Sequence, residues 1–189
     1  SMRRLGALGI LLTLPTTDAA THRRRLVANA NDLAKSATHA HRRRADLDLD
    51  RLLKATDEFL TLLADFGKFV KPSLSEMRSC LRKLDEGRRH LSLGAKQRRS
   101  LRCVLEAERA MRMHGRGGVL ADPSCAMGAL WVRRGLHLWA DVFEQQARAL
   151  RSGPGGGDFR QQIQRAYVRL VRRYHGWVSR RAFGCAQTI

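Results

Sequence analysis

Paired cysteines are missing from this chain. Cys80, Cys103, Cys125 and Cys185 form no CxxC or CxxH spacing, which excludes the usual structural zinc arrangements. Each lies in an apolar, helix-like context, as expected of reduced core thiols in a cytosolic protein. Aromatics make up only 6% of the residues, and no period-2 alternation develops; a sheet has little to build on. Acidic residues are also scarce: 17 Asp and Glu stand against 36 Lys and Arg, a formal net charge of +19. That excess points to an anionic partner, either nucleic acid or a membrane face. Most of it is arginine spread along helical patterns, where the aliphatic stem also suits a solvated face. Charge alone therefore does not choose the partner. P-loop, GxSxG and HExxH motifs are absent. No catalytic residue, cofactor or metal is expected.

What is present favours helix. The 189 residues suffice for one domain with a core, and 43% are hydrophobic, too many for a disordered chain. Leu, Ala and Arg dominate. The start, "MRRLGALGILLTLPTTDAA", has the outline of a secretory signal, with a basic pair, an apolar run and small residues after Pro15. The run from Leu5 to Leu14 is too short for a transmembrane helix. Nothing downstream looks secreted, so a cytoplasmic location peripheral to membranes is the expectation and a secretory signal the alternative. Residues 1–45 also hold "HRRRL" and "HRRRA". They read as a basic, solvated extension with a helix between Leu26 and Ala40.

Residues 46–189 read as the domain proper. In "LDRLLKATDEFLTLLADFGKFV" the residues Leu49, Leu52, Leu53, Phe59, Leu60, Leu63 and Phe66 share one broad helical face, with Gly67 as a stop. A second helix opens at "KPSLSE", with Pro72 in the first turn and Ser73 and Glu76 at capping-box spacing. A third covers "SLGAKQRRSLRCVLEAERAMRMHG" and stops near Gly115. "GRGGVLADPS" is a loop. A fourth runs from Cys125 to about Leu150, and a last one from Phe159 to about Phe183.

Two aromatic-rich segments raise the question of function. Trp131 in "ALWVRRGLHLW" is either a core residue or a platform whose ring stacks on a sugar face. Glu76, Lys83 and His175 have the acceptor and donor groups that would hold sugar hydroxyls or an amide. His175 sits in "RRYHGWVSRRAF", where a lone helical histidine is more often a core residue.

"ALWVRRGLHLWADVFEQ" followed by "AYVRLVRRYHGWVSRRAF" resembles the glycolipid transfer protein family. "FLTLLADFGKFVKPSLSEMRSCLRKL" and "SLRCVLEAERAM" resemble its earlier helices, in order, so the similarity spans roughly Leu52 to Phe183. The resemblance implies an all-α, two-layer helical sandwich with an apolar lipid tunnel. It implies one sphingolipid bound and moved between membranes without turnover. Glu76 then stands where the family has an aspartate for the ceramide amide and head group. Cys80 replaces an asparagine or lysine, and Lys83 keeps a lysine. Trp131 matches the stacking tryptophan, His175 the donor to the ceramide carbonyl, and Trp177 the membrane-touching tryptophan.

The sequence departs from that pattern in places. Glu76 reaches about 1.5 Å further than aspartate, and Cys80 is a weak donor. The chain ends at Ile189, where members usually continue; the expectation is that this part is lacking or that the N-terminal extension stands in for it. Members that prefer ceramide 1-phosphate resemble the same frame with arginine at the Trp131 and Met127 positions. Uncharged Met127, Cys80 and Trp131 favour a neutral sugar head group, with Arg133 and Arg134 as candidate phosphate contacts. A basic helical nucleic-acid-binding protein is the competing reading. It accounts for the charge but not for the ordered aromatic segments. A third is a degenerate member serving only as a membrane-associated or partner-binding scaffold.

Overall fold

The structure is a computed structural model that describes residues 16–36, 46–151 and 158–175. Among the described residues there are seven α-helices and no strand: α1 (Thr16–Ser36), α2 (Leu49–Ala64), α3 (Lys71–His90), α4 (Ala95–Arg98), α5 (Leu101–Ala110), α6 (Cys125–Arg151) and α7 (Phe159–Leu170). The described residues divide into two compact units. Residues 16–23, 63–75, 133–151 and 158–175 form one; residues 24–36, 46–62 and 76–132 form the other.

The second unit rests on α2. Leu49, Leu52, Ala55, Thr56, Phe59 and Leu60 are all buried. Their three- and four-residue spacing puts them on one stripe, and each large side chain so buried contributes about 2 kcal/mol. Leu53 is only half-buried. The basic segment before α2 is helical over Thr16–Ser36, and residues 37–40 of the helix expected between Leu26 and Ala40 lie outside the described residues. Asn29 is buried and donates from Nδ2 to the Ala55 carbonyl at 2.8 Å.

The expected third helix is broken in two. Ser100 leaves helical geometry, and the chain here pairs with residues 47–49: Leu49 N–H donates to the Arg99 carbonyl at 2.8 Å and Leu101 N–H to the Leu47 carbonyl at 3.0 Å. Ser100 then caps α5 by accepting from Cys103 N–H, while its hydroxyl donates to Asp46 at 2.5 Å. Burial would raise the Asp46 pKa, but hydrogen bonds from Ser100, Arg102 and Leu47 hold it below the usual carboxylate value.

The first unit is aromatic. Phe66 stacks on Phe159 with centroids 5.1 Å apart and meets Phe143 at 6.2 Å. Trp139 is fully buried beside Phe143. His22 of α1 presents its edge to Phe66 and lies 3.4 Å from the Asp65 carboxylate. Between α2 and α3 the chain turns at Gly67, where φ is +106°, a value glycine tolerates and other residues rarely do. Lys71, not Ser73, begins α3. Ser73 is thus inside the first turn and no capping box with Glu76 forms there.

The last helix is shorter than its pattern suggests. It ends at Leu170, a 3-10 turn covers Arg172–Tyr174, and His175 is extended. This geometry lets the His175 ring fold back on Tyr167 of α7, ring centroids 5.5 Å apart, burying both. Helical continuation would carry the ring away from that partner.

Candidate functional site

Helix α3 spaces Glu76, Cys80 and Lys83 at intervals of four and three, so all three share one side of it. Glu76 is half-buried and Cys80 is 5% exposed. The Lys83 ammonium reaches Asp122 Oδ1 at 2.5 Å. Asp122 comes from the loop between α5 and α6. Burial pushes the Cys80 thiol up to about 11; the Glu76 and Asp122 carboxylates push the same way and Lys83 opposes them. At neutral pH Cys80 is therefore a protonated thiol, a weak donor and not a nucleophile. The four side chains form one electrostatic group.

Helix α6 is held against this side of α3 at two glycines. A Cβ on Gly87 would lie 2.6 Å from Cys125 Sγ, and one on Gly128 would lie 2.8 Å from the Cys80 carbonyl and 3.0 Å from Leu84 N. Cys125 faces residue 87 and Gly128 faces 80–84, so the helices run antiparallel. That register carries Trp131, three residues past Gly128, toward the level of Cys80 and Glu76. Trp131 is part-exposed, unlike Trp139, and Met127 is half-buried.

The start of α6 is fixed from a distance. Ser124 caps it locally, accepting from Met127 N–H at 3.0 Å. Glu108 of α5, 1% exposed, accepts from Cys125 N–H at 2.5 Å and Ala126 N–H at 2.9 Å. His114 Nε2 lies 3.4 Å from the same carboxylate. Its Nδ1 accepts from Ala121 N–H, so a neutral ring carries its proton on Nε2, toward Glu108. The Cys125 thiol, pushed up to about 12 by burial and by the Glu108 carboxylate, donates to the Leu84 carbonyl at 3.6 Å.

Arg133, Arg134 and His175 belong to the other unit. Arg133 is exposed. The Arg134 guanidinium lies 3.5 Å over the Tyr174 ring, a cation–π contact. His175 is 4% exposed, with Nδ1 3.2 Å from the Tyr167 hydroxyl. It is a buried residue oriented by a phenol, not a helical surface residue. Trp177 and Cys185 lie outside the described residues.

Asp122, Glu108, Gly128 and Tyr167 went unnoticed in the sequence. Glu108 had a signal: it follows Val104 by four residues and takes the next core position of α5. Asp122 had none, since its partner is 39 residues away. Among the described residues no group of three or more His, Cys, Asp and Glu is placed to hold a metal ion. An open groove of about 740 Å³ runs along α2 and α3, walled by Leu53, Leu81, Arg78, Arg82 and the ion pairs of Arg88 with Asp50 and Asp85. Glu76, Lys83 and Trp131 are not among its walls, and its acids and arginines neutralise one another.

The sequence profile described as Glycolipid transfer protein (GLTP) matches residues 47–189. Three solved structures are similar. Mouse ceramide-1-phosphate transfer protein in its apo form is 18% identical, with a TM-score of 0.64, over 84% of this chain and 73% of that one. Human ceramide-1-phosphate transfer protein with 12:0 ceramide-1-phosphate is 21% identical, TM-score 0.62, over 81% and 71%. The human protein with 2:0 ceramide-1-phosphate is 20% identical, TM-score 0.61, over 87% and 74%. No protein of curated function matches the chain. The structural likeness establishes the all-α fold of these proteins.

Proposed function

Because the chain belongs to the glycolipid transfer protein family, we propose that it binds one sphingolipid and carries it between membranes without chemical change. The observation that carries this reading is the cluster on α3 and α6. The part-exposed indole of Trp131 is proposed to join the acceptor at Glu76 and the donor at Lys83, on two helices in close contact at Gly128. A stacking plane with polar groups around it is what a sugar head group needs. His175, pre-oriented by Tyr167, has the donor role at the ceramide amide region that the family resemblance implies. Met127, Cys80 and Trp131 supply no positive charge for a phosphate. This favours a glycosylated ceramide over the ceramide-1-phosphate bound by the human relative.

Delivery requires contact with a bilayer. No described helix is long and apolar enough to cross one, so contact is peripheral in this reading. The loop after α5 exposes Met111 and Val119, 61% and 66% accessible, among exposed Arg109, Arg112 and Arg116. Apolar tips within a cationic rim suit an anionic surface, each cation adding about 1 kcal/mol. Trp177 is proposed to add an interfacial ring. Trp177→Ala should weaken partition to phosphatidylserine vesicles with helical content unchanged; equal partition would remove Trp177 from this role.

The primary test is mass spectrometry of lipid co-purified with the folded chain, with transfer measured between vesicles. A sphingolipid in about 1:1 ratio is the expected result, and its absence together with no transfer would refute the reading. Trp131→Ala should weaken glucosylceramide binding by about 1–3 kcal/mol. His175→Leu should cost about as much by removing a buried hydrogen bond. Unchanged transfer in both variants would leave the fold but reject the site. Retention on RNA at physiological salt, with no vesicle transfer, would favour the nucleic-acid alternative.

A further inference from the structure

We infer that Asp122 sets head-group choice by holding Lys83 in an ion pair, so that the α3–α6 cluster rejects phosphate-headed ligands and accepts neutral, hydroxyl-rich ones. The inference rests on the functional reading above and adds a residue to it. Lys83 is the cation of the cluster, and its ammonium lies 2.5 Å from Asp122 Oδ1. Both carboxylates, Glu76 and Asp122, act on Cys80 against Lys83. The pair of Lys83 with Asp122 carries no net charge. The residues beside it, Met127, Cys80 and Trp131, contribute none.

A phosphate entering this group meets an ammonium already neutralised by Asp122, whose carboxylate repels it. A sugar meets the Asp122 carboxylate as an acceptor for its hydroxyls and a lysine that still has N–H groups to donate. The pair is not sealed from water: the side chains of Lys83 and Asp122 are 31% and 53% accessible. Its role is thus a bias in field rather than a structural lock, and Asp122 can be changed without opening the core. The remaining loop anchors, Glu108 with His114 and Ser124 with Met127, do not involve Asp122.

The experiment measures transfer of glucosylceramide and ceramide 1-phosphate from neutral phosphatidylcholine vesicles by the full chain. Wild type is compared with Asp122→Asn, Asp122→Glu, Lys83→Met and the double variant. Asp122→Asn frees Lys83 and removes one repelling charge, so the ratio of phosphate-headed to sugar-headed transfer should rise about fivefold, the size expected of a part-exposed charge pair. Asp122→Glu should keep the wild-type ratio. In the Lys83→Met background, Asp122→Asn should shift the ratio less than in wild type, because no ammonium remains to be freed. If wild type transfers sphingolipid but Asp122→Asn changes the ratio less than twofold, Asp122 does not set the choice and the transfer function stands. An equal shift with and without Lys83 overturns the ion-pair route. If wild type transfers neither lipid, both the inference and the functional reading fall.

Discussion

Gly128→Ala is expected to lower the unfolding free energy by about 2–3 kcal/mol, as overpacking at a tight contact does. The new methyl would sit 2.8 Å from the Cys80 carbonyl oxygen, 3.0 Å from Leu84 N and 3.2 Å from Leu84 Cβ. Two of those three atoms are backbone, so no side-chain rotation relieves the clash. The helices themselves must separate. Alanine is intrinsically the better helix former by about 1 kcal/mol, which makes the sign of the effect a clean test: packing must overcome propensity. Separation would also disturb the proposed site on α3 and α6, so transfer should fall further than stability alone accounts for. Urea unfolding midpoints and vesicle transfer measured at a temperature where the variant remains folded separate the two effects. A variant as stable as wild type would mean that α6 is not held at this glycine.

Gly128 also shows what a sequence can and cannot disclose. The stripe of α2 was legible because its apolar residues recur at the helical period and the structure buries most of them. Helix α6 was legible for the same reason, and its bounds, Cys125–Arg151, differ little from the pattern. Its two tryptophans were not distinguishable. Trp131 and Trp139 both sit in apolar helical surroundings, yet one is part-exposed and the other wholly buried. Which face a residue takes depends on which helix lies opposite, and that is long-range information.

The breaks were the hardest to read. Residues around Arg99 and Ser100 have acceptable helical propensity, but pairing with residues 47–49 overrides it. The chain past Leu170 continues a helical pattern, yet the helix ends there and His175 turns back to Tyr167. The candidate site residues of α3, Glu76, Cys80 and Lys83, could be named from the family resemblance. The charge that answers Lys83 could not, because Asp122 lies in a loop read only as a connection.

Glu108→Ala should cost about 3 kcal/mol, since the carboxylate makes two charge-assisted hydrogen bonds worth about 1.5–3 kcal/mol each, offset by release of its desolvation penalty. Glu108 is 1% exposed and accepts from the N–H groups of Cys125 and Ala126, the first two residues of α6. Ser124 serves the Met127 N–H and cannot replace it. The positive end of the helix dipole adds to the attraction. Alanine would leave two inward-facing donors unanswered, a cavity beside Val104, and His114 without its carboxylate. Glu108→Gln keeps an acceptor of nearly the same shape but loses the charge, so its loss should be smaller, about half. The two variants thus divide the effect between shape and charge. Because α6 carries Met127, Gly128 and Trp131 within its first two turns, fraying its start should also lower transfer, and lipid bound at the site should recover part of the lost melting temperature. Thermal and urea unfolding of both variants check the order; if Glu108→Ala unfolds like wild type, the remote cap contributes nothing and Ser124 alone begins the helix.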